Sequence, residues 1–404
     1  MSDMQMVPRW QVHYAGVIIV FALVLGGGTA QGLWTDHLLQ LIMVPAMLIG
    51  FWFVPQSRLP VSVLLMVAAI IALLLVQFLP ISRTWPNGEV EVSHTSLLWT
   101  LSAQRTLEAT LFVIPLIGFM LFVSRMPPNQ QQNLVRFMMV GLIINLIIGA
   151  IQLSYSRVSA LPSPLPYELL SASFANENHQ SSLFFLMIPL LAFHYLVRVQ
   201  KPLIFGIIMA VLLIYLFAIG SRAGTAISTL IAIWSFTLFT LRPSPLVAGG
   251  VIAIGVTAAV GLFIWLDVIS ELDSRLGFAQ TTWTAFKDNW LFGTGPGSYL
   301  MVYAAYERVE DMGRLVANQA HNDWLQIALE TGIAGIALLL VFSLLVVRAF
   351  FYSALSQAAA LSAFSVMIHS LVDYPLRTMA IATCFAVLCA MMFCVQKPSR
   401  QNLQ

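Results

Sequence analysis

Long apolar runs separated by short polar connections recur along the whole chain. Each is about 17 to 25 residues long, the length that an α-helix needs to cross a bilayer. A transmembrane β-barrel would instead need segments of about ten residues with alternating polarity, and the chain lacks that pattern. The pattern predicts an all-α polytopic membrane protein with about twelve spans, near residues 14–33, 38–55, 61–81, 105–124, 134–153, 181–199, 203–220, 222–241, 246–267, 323–347, 353–372 and 378–396.

The composition agrees with this interpretation. Of the 404 residues, 59% are hydrophobic and only 9% are charged, which is far from the composition of soluble domains. We therefore expect one integral membrane domain over 1–404. The first apolar run lacks the small-residue cleavage site of a signal peptide, and the three cysteines in the last run have no metal-ligand spacing, so we expect them to be packing residues.

The positions of the basic residues predict the orientation. Cytoplasmic connections of membrane proteins are enriched in lysine and arginine, and this enrichment places both termini in the cytoplasm. The loops 82–104, 154–180 and 268–322 then face the outer, non-cytoplasmic side. The basic residues that decide the orientation are Arg58, Arg125, Arg136, Arg198, Lys201, Arg242, Arg348, Lys397 and Arg400.

The loop 268–322 is a polar segment in an apolar chain, and we expect it to carry part of an active site. His321 stands where this loop re-enters the membrane, followed by Asn322 and Asp323. An imidazole with an ordinary pKa near 6.5 suits a general base acting on a sugar hydroxyl. The alternative is a polar residue at the interface, with Asn322 or Asp323 capping the next helix.

Two arginines are candidates for binding an anion. Arg222 lies between small residues at the start of a predicted span, where a charge is costly unless it faces a cavity or an anion. Snorkelling to the interface is the alternative. Arg275 precedes 276–291, whose spacing predicts an amphipathic helix on the membrane plane. The glycine-rich turn 293–297 lacks the Lys-Ser/Thr ending of a nucleotide-binding loop.

Two further polar segments flank predicted spans. Asn178 and His179 either line a polar cavity or belong to a helix start that Asn176 or Asn178 caps. Asp373 and Arg377 form either a structural ion pair or a second wall of the same pocket, and His369 stands four residues before Asp373 on a helix that Pro375 is expected to end. Glu330, within a predicted span, needs a partner or a proton.

Four motifs stand in order along the second half of the chain: Ser-Arg-Ala-Gly at 221–224, Gly-Thr-Gly-Pro-Gly-Ser-Tyr at 293–299, Ala-His-Asn-Asp-Trp-Leu-Gln at 320–326 leading into 330–332, and His-Ser-Leu-Val-Asp-Tyr-Pro at 369–375. Together they resemble the O-antigen ligase and polysaccharide polymerase superfamily of bacterial envelope glycosyltransferases. The resemblance is strongest over 215–380.

The resemblance implies a metal-independent, inverting transferase of the GT-C type in the bacterial inner membrane, without a cofactor. Such an enzyme moves a glycan from undecaprenyl diphosphate to a sugar hydroxyl on lipid A-core or on a lipid-linked glycan. By resemblance His321 is the base, and Arg222 and Arg275 hold the diphosphate. Membrane lipid is a further partner, and nucleic acid is not expected. A lipid-linked glycan flippase or secondary transporter stays the alternative, although we see no obvious internal repeat.

Overall fold

The structure is a computed structural model that describes residues 7–84, 95–154, 165–167, 171–241, 269–307 and 318–394. Two short strands, β1 (Arg83–Thr84) and β2 (Thr95–Ser96), pair antiparallel. A π-helical turn, Phe193–Arg198, continues α6, and Pro375–Arg377 forms a 3₁₀ turn. The α-helices of these ranges are α1 (Arg9–Leu25), α2 (Trp34–Trp52), α3 (Val61–Val76), α4 (Ala103–Ser124), α5 (Pro128–Ser154), α6 (Glu177–Ala192), α7 (Pro202–Ala218), α8 (Arg222–Leu241), α9 (Ile269–Asn289), α10 (Tyr299–Tyr306), α11 (Asp323–Ala349), α12 (Ala354–His369) and α13 (Met379–Phe393).

Eleven of these helices coincide with predicted spans, and the predicted span 246–267 lies outside the described residues. Six helices are long and apolar enough to cross a membrane, and five more are apolar but only 10–17 residues long. The structure therefore supports a polytopic all-α membrane protein. The number of spans and the sidedness stay predictions.

Several helices begin where a side chain caps them. Serine, threonine and asparagine accept hydrogen bonds from the free N–H groups of a first helical turn. Asn176 caps α6 and Asn322 caps α11 in this way, which decides between the residues that the sequence allowed at each start. Ser102, Ser353 and Thr378 cap α4, α12 and α13.

The centre of the bundle consists of α6, α12 and α13. Every side chain of α6 from His179 to Ala192 is buried. Helix α6 packs against α8 and α12, α13 packs against α12 and α4, and the pairs α1–α5 and α2–α4 lie around them. The three cysteines are buried among apolar neighbours, as expected for packing residues.

Helix α9 covers most of the predicted amphipathic segment. It packs on α10 and α11 through a small second core that includes Ala285, Tyr299 and Tyr303. Its opposite face exposes Trp283, and Trp290 just beyond the helix is also exposed. Tryptophans at such positions are typical of membrane interfaces. This helix therefore lies on the bundle with one apolar face turned outward.

Helix α11 is broken at Gly332, whose φ of 62° and ψ of −152° are not helical. The glycine-rich turn inserts at this break. The Thr294 N–H donates to the Leu329 carbonyl at 3.0 Å, and the Gly295 N–H donates to the Glu330 carbonyl at 2.8 Å. A Cβ atom on Gly293 would lie 2.4 Å from the backbone carbonyl oxygen of Glu330. The turn therefore packs closely into the break of α11, and its hydrogen bonds connect the segment between α9 and α10 to α11.

Candidate functional site

Asp373 is the centre of a buried group of charged and titratable side chains. Its Oδ1 accepts the Tyr374 N–H at 2.9 Å. His179 Nε2 lies 3.4 Å and His321 Nδ1 lies 3.6 Å from the same oxygen. On the other side, Arg275 Nη2 is 3.8 Å and His369 Nε2 is 4.0 Å from Oδ2. We call His179, Arg275, His321, His369 and Asp373 the histidine–aspartate cluster.

The cluster forms where helix ends meet. His179 lies in the first turn of α6, and His369 is the last residue of α12. His321 directly precedes the cap of α11, and the Asp323 N–H donates to the Ser370 carbonyl at 2.9 Å. This hydrogen bond joins the start of α11 to the turn that follows α12.

His321 differs from the other two histidines in accessibility and backbone. The side chains of His179 and His369 are fully buried, whereas that of His321 is 18% exposed. Its ring stacks on Phe278 at 5.6 Å and meets the edge of Tyr374 at 4.8 Å. Its φ of 48° lies in the left-handed region. Of the three imidazoles, His321 is the one that a ligand can reach.

The cluster favours an ionised Asp373. Burial by itself raises the pKa of this carboxyl, but the imidazoles of His179 and His321, and then His369, hold its pKa well below the usual range. The pKa of the neighbouring Tyr374 is raised to about 12, first by burial and then by the Asp373 charge. The imidazole contacts are longer than ordinary N–H···O hydrogen bonds. They are therefore mainly electrostatic.

A second polar network lies beside the cluster. Arg377 Nε is 3.2 Å from Asp323 Oδ1, and Arg377 Nη2 is 3.5 Å from Glu330 Oε2. Ser370 Oγ donates to Asp323 Oδ2 at 3.1 Å, and Gln326 Nε2 donates to Glu330 Oε1 at 3.1 Å. Glu330 thus has the partner that its place in an apolar helix requires.

This network corrects two expectations. In the described part of the chain, Arg377 pairs with Asp323 and Glu330 rather than with Asp373. Helix α12 ends at His369, before Pro375, which instead opens the 3₁₀ turn. Asp373 and Arg377 both lie beyond the end of this helix, where a spacing of four residues does not by itself place two side chains on one face. Because the helix stops early, Arg377 turns toward α11.

The remaining predicted site residues lie either near the histidine–aspartate cluster or outside the residues that the structure describes. Arg275 Nη1 donates to the Val372 carbonyl at 2.9 Å, and Asn178 Oδ1 accepts from Ser221 Oγ at 3.1 Å. The second contact brings the start of α8, which begins at Arg222, next to the start of α6. The Arg222 side chain and the loop arginines Arg308 and Arg314 lie outside the described residues.

A cavity of about 460 Å³ lies on the other side of the second network. Asp323, Glu330 and Arg377 line it, whereas the histidine–aspartate cluster does not contribute to its described lining. Sequence patterns gave no sign of this cavity, because its walls come from helices far apart in the chain.

Fold and site together define a class: an all-helical membrane protein with a buried carboxylate–imidazole cluster where helix ends meet. No group of His, Cys, Asp or Glu in the described ranges is arranged to hold a metal ion. Residues 207–340 match the family model described as O-antigen ligase. The chain resembles the O-antigen ligase and polysaccharide polymerase superfamily, as its motifs predict. The match includes three of the four motifs and ends before the fourth. No curated protein matches the chain at a significant level.

Proposed function

We propose that the protein is a membrane glycosyltransferase that moves a glycan from undecaprenyl diphosphate to a sugar hydroxyl on the periplasmic side. The observation that carries this proposal is His321, an accessible imidazole held against the buried, ionised Asp373. An imidazole beside a carboxylate is a common arrangement for a general base. The family match over 207–340 supports the same reaction class.

The contact between His321 and Asp373 suggests how the base is oriented. Nδ1 of His321 faces the carboxylate at 3.6 Å, which favours the tautomer with its proton on Nδ1. Nε2 is then free to take the proton of the acceptor hydroxyl. The hydroxyl oxygen attacks the anomeric carbon, and the bond from that carbon to the diphosphate breaks with its electron pair. One direct displacement inverts the anomeric centre.

The leaving diphosphate needs positive charge. We assign this role to Arg222 and Arg275, because guanidinium groups bind phosphate oxygens with paired N–H donors. Arg275 uses Nη1 on the Val372 carbonyl and has further N–H groups to offer. A fixed cation in a partly dry site stabilises the charge that develops on the leaving group.

The other candidate residues support this arrangement in the proposal. His179 and His369 hold Asp373, and Asn178 positions the start of α8 through Ser221. Asn322 caps α11, and Asp323 with Arg377 fixes the chain beside His321. Asp373 is completely buried, so we now assign it to positioning the base rather than to direct contact with substrate. Lipid A-core and a lipid-linked glycan both fit as acceptors.

The test is transfer by purified protein with and without the base. His321→Asn removes the imidazole, and asparagine tolerates the left-handed backbone at this position. We expect release of undecaprenyl diphosphate from a lipid-linked oligosaccharide to fall by about 10²- to 10⁴-fold. His13→Asn, at an exposed histidine of α1, is the matched control and should keep full activity. Wild-type release by a folded His321→Asn variant would contradict the proposed mechanism.

The arginines need a separate measurement. Arg222→Lys and Arg275→Lys keep the charge but lose the planar fork. We expect both variants to insert and fold, and to lose at least about tenfold in turnover, since a charge-assisted hydrogen bond is lost. Near-normal transfer by Arg222→Lys would return that residue to a snorkelling role.

A further inference from the structure

The cavity beside the second network combines a polar rim with an apolar floor. Its volume of about 460 Å³ is in the range of small-molecule sites. The floor is built from α3, α4, α11 and α13 and carries no charged side chain among its described residues, with Ile70, Phe112, Leu116, Leu338, Phe342 and Phe385 as examples. Such a floor suits an apolar chain.

The rim holds hydrogen-bond acceptors that are short of donors. Gln31 Oε1 and Asp36 Oδ1 are buried and have no hydrogen-bond partner in the described part of the chain. The Asp36 residue is only 4% exposed and lines the cavity. A buried acceptor without a donor costs about 1 to 3 kcal/mol. These groups are therefore suited to a ligand that donates hydrogen bonds.

The described lining of the cavity holds more acidic than basic side chains, which does not favour an anion. Asp36 and Glu108 both line the cavity, and Glu108 pairs with Arg105, which lies outside the lining. The positive charge of Arg377 is already shared between Asp323 and Glu330. A diphosphate at this rim would face carboxylates, whereas sugar hydroxyls would donate to them.

One part of the cavity wall is close in the chain to the proposed base. Gln319 and Asp323 line the cavity, and each stands two residues from His321 in the chain. Two residues span at most about 7 Å. The part of the cavity wall at Gln319 and Asp323 is therefore within a short reach of the segment that carries His321.

We propose that this cavity binds the lipid-linked acceptor, with a sugar residue at the rim formed by Gln31, Asp36 and Glu108 and an apolar chain along the floor. Arg275, to which the donor diphosphate is assigned, does not belong to the described lining of this cavity. The assignment to the acceptor rests on the proposed glycosyl transfer, but the binding itself does not.

The test uses a dodecyl β-glucoside with a diazirine at the end of its chain. The full-length protein in phosphatidylcholine nanodiscs is irradiated with this probe, without any donor, and labelled peptides are mapped. We expect labels on floor peptides containing Phe112 or Phe385. Unlabelled dodecyl glucoside should compete at least about tenfold better than dodecyl phosphate, as expected when one ligand meets acceptors and the other meets carboxylates.

Variants make the result specific to the rim. Asp36→Leu and the milder Asp36→Asn and Glu108→Gln should each weaken labelling, by about tenfold for the leucine variant. Glu307→Gln, a carboxylate outside the cavity lining, is the matched control and should change nothing. Because the competition experiment uses the wild-type protein, it still decides if Asp36→Leu does not fold.

Two outcomes would overturn the inference: equal competition by dodecyl phosphate, which indicates an unspecific lipid slot, or labels confined to other surfaces. These outcomes are separable from a failure of the proposed function. A protein that releases undecaprenyl diphosphate but does not label in the cavity refutes only the acceptor site. A protein that is labelled in the cavity but releases no undecaprenyl diphosphate refutes the transferase, and with it the acceptor assignment, but leaves the binding site in place.

Discussion

Asp373→Asn removes the negative charge of the histidine–aspartate cluster and keeps the size of the side chain. The amide oxygen can still accept the Tyr374 N–H, which lies 2.9 Å from Oδ1 in the native cluster. The amide nitrogen then takes the place of Oδ2, where Arg275 Nη2 and His369 Nε2 lie 3.8 and 4.0 Å away. The amide N–H groups would then face the N–H groups of Arg275 and His369. The substitution therefore removes electrostatic attraction without creating a steric clash.

The size of the effect follows from these distances. Unit charges about 4 Å apart attract by about 4 kcal/mol at an effective dielectric constant near 20. The Arg275 side chain is 23% exposed, so water screens part of this energy. We expect Asp373→Asn to lower the free energy of unfolding by roughly 2 to 3 kcal/mol. Turnover should fall by about 10²-fold or more, because His321 loses the group that orients it.

The pH dependence gives the effect a direction. The pKa of Asp373 is held below its usual range, and an unfolded aspartate titrates near 3.9. The stabilisation is therefore fully present above the unfolded pKa and is lost as pH falls through the folded value. The gap in unfolding free energy between wild type and Asp373→Asn should therefore shrink as pH falls below about pH 4.

The assay combines unfolding in detergent with steady-state transfer kinetics. A positioning role predicts a lower kcat with an unchanged KM for the donor, and partial recovery in Asp373→Glu. A purely structural role would instead reduce the amount of folded enzyme and leave kcat per folded molecule unchanged. If Asp373→Asn keeps kcat within about threefold of wild type while His321→Asn loses about 10²-fold, the assignment of Asp373 is wrong.

Three further predictions concern the frame of the site. Gly332→Ala should destabilise the protein by about 2 kcal/mol or more, because a Cβ would lie 2.6 Å from the Leu291 oxygen at a φ of +62°; Gly206→Ala, with nothing within 4 Å, should be neutral or slightly stabilising in the same thermal melts. Arg377→Met should cost about 3 to 5 kcal/mol in detergent unfolding, because two buried carboxylates lose their cation, and an unchanged midpoint would contradict this. A cysteine replacing exposed Thr284 should react from outside with an impermeant thiol reagent, whereas one replacing buried Ser298 should not; labelling of Thr284→Cys only after lysis would reverse the topology.

Hydropathy alone was sufficient to find eleven of the thirteen α-helices in the described residues. An apolar run of span length has few alternatives to a helix in a bilayer, so eleven predicted spans lie on helices with ends shifted by several residues. The caps were partly predictable as well, since asparagine precedes both α6 and α11. Which of two adjacent polar residues caps a helix depends on its backbone angles, which the sequence does not display.

The pairing of the polar residues was harder to predict. Asp373 meets His179 and His321 from distant parts of the chain, and no periodicity relates them. The available signal was that all three stand at ends of predicted spans on one side of the membrane. Of the two alternatives for Asp373 and Arg377, the ion pair is wrong, because the 3₁₀ turn that Pro375 opens brings Arg377 to Asp323 and Glu330 instead. The glycine-rich turn was recognised, but its fit into the break of α11 depends on Gly332, which the pattern of the span conceals.

The left-handed backbone at His321 has a consequence for how this position can change. Glycine and asparagine adopt a φ of 48° more readily than most residues. A chain released from the need for a base would gain a relaxed backbone from His321→Gly but would lose the imidazole contacts with Asp373, Phe278 and Tyr374. His321→Asn keeps the left-handed backbone and a polar side chain, so stabilised variants selected without an activity screen should accept it before other substitutions.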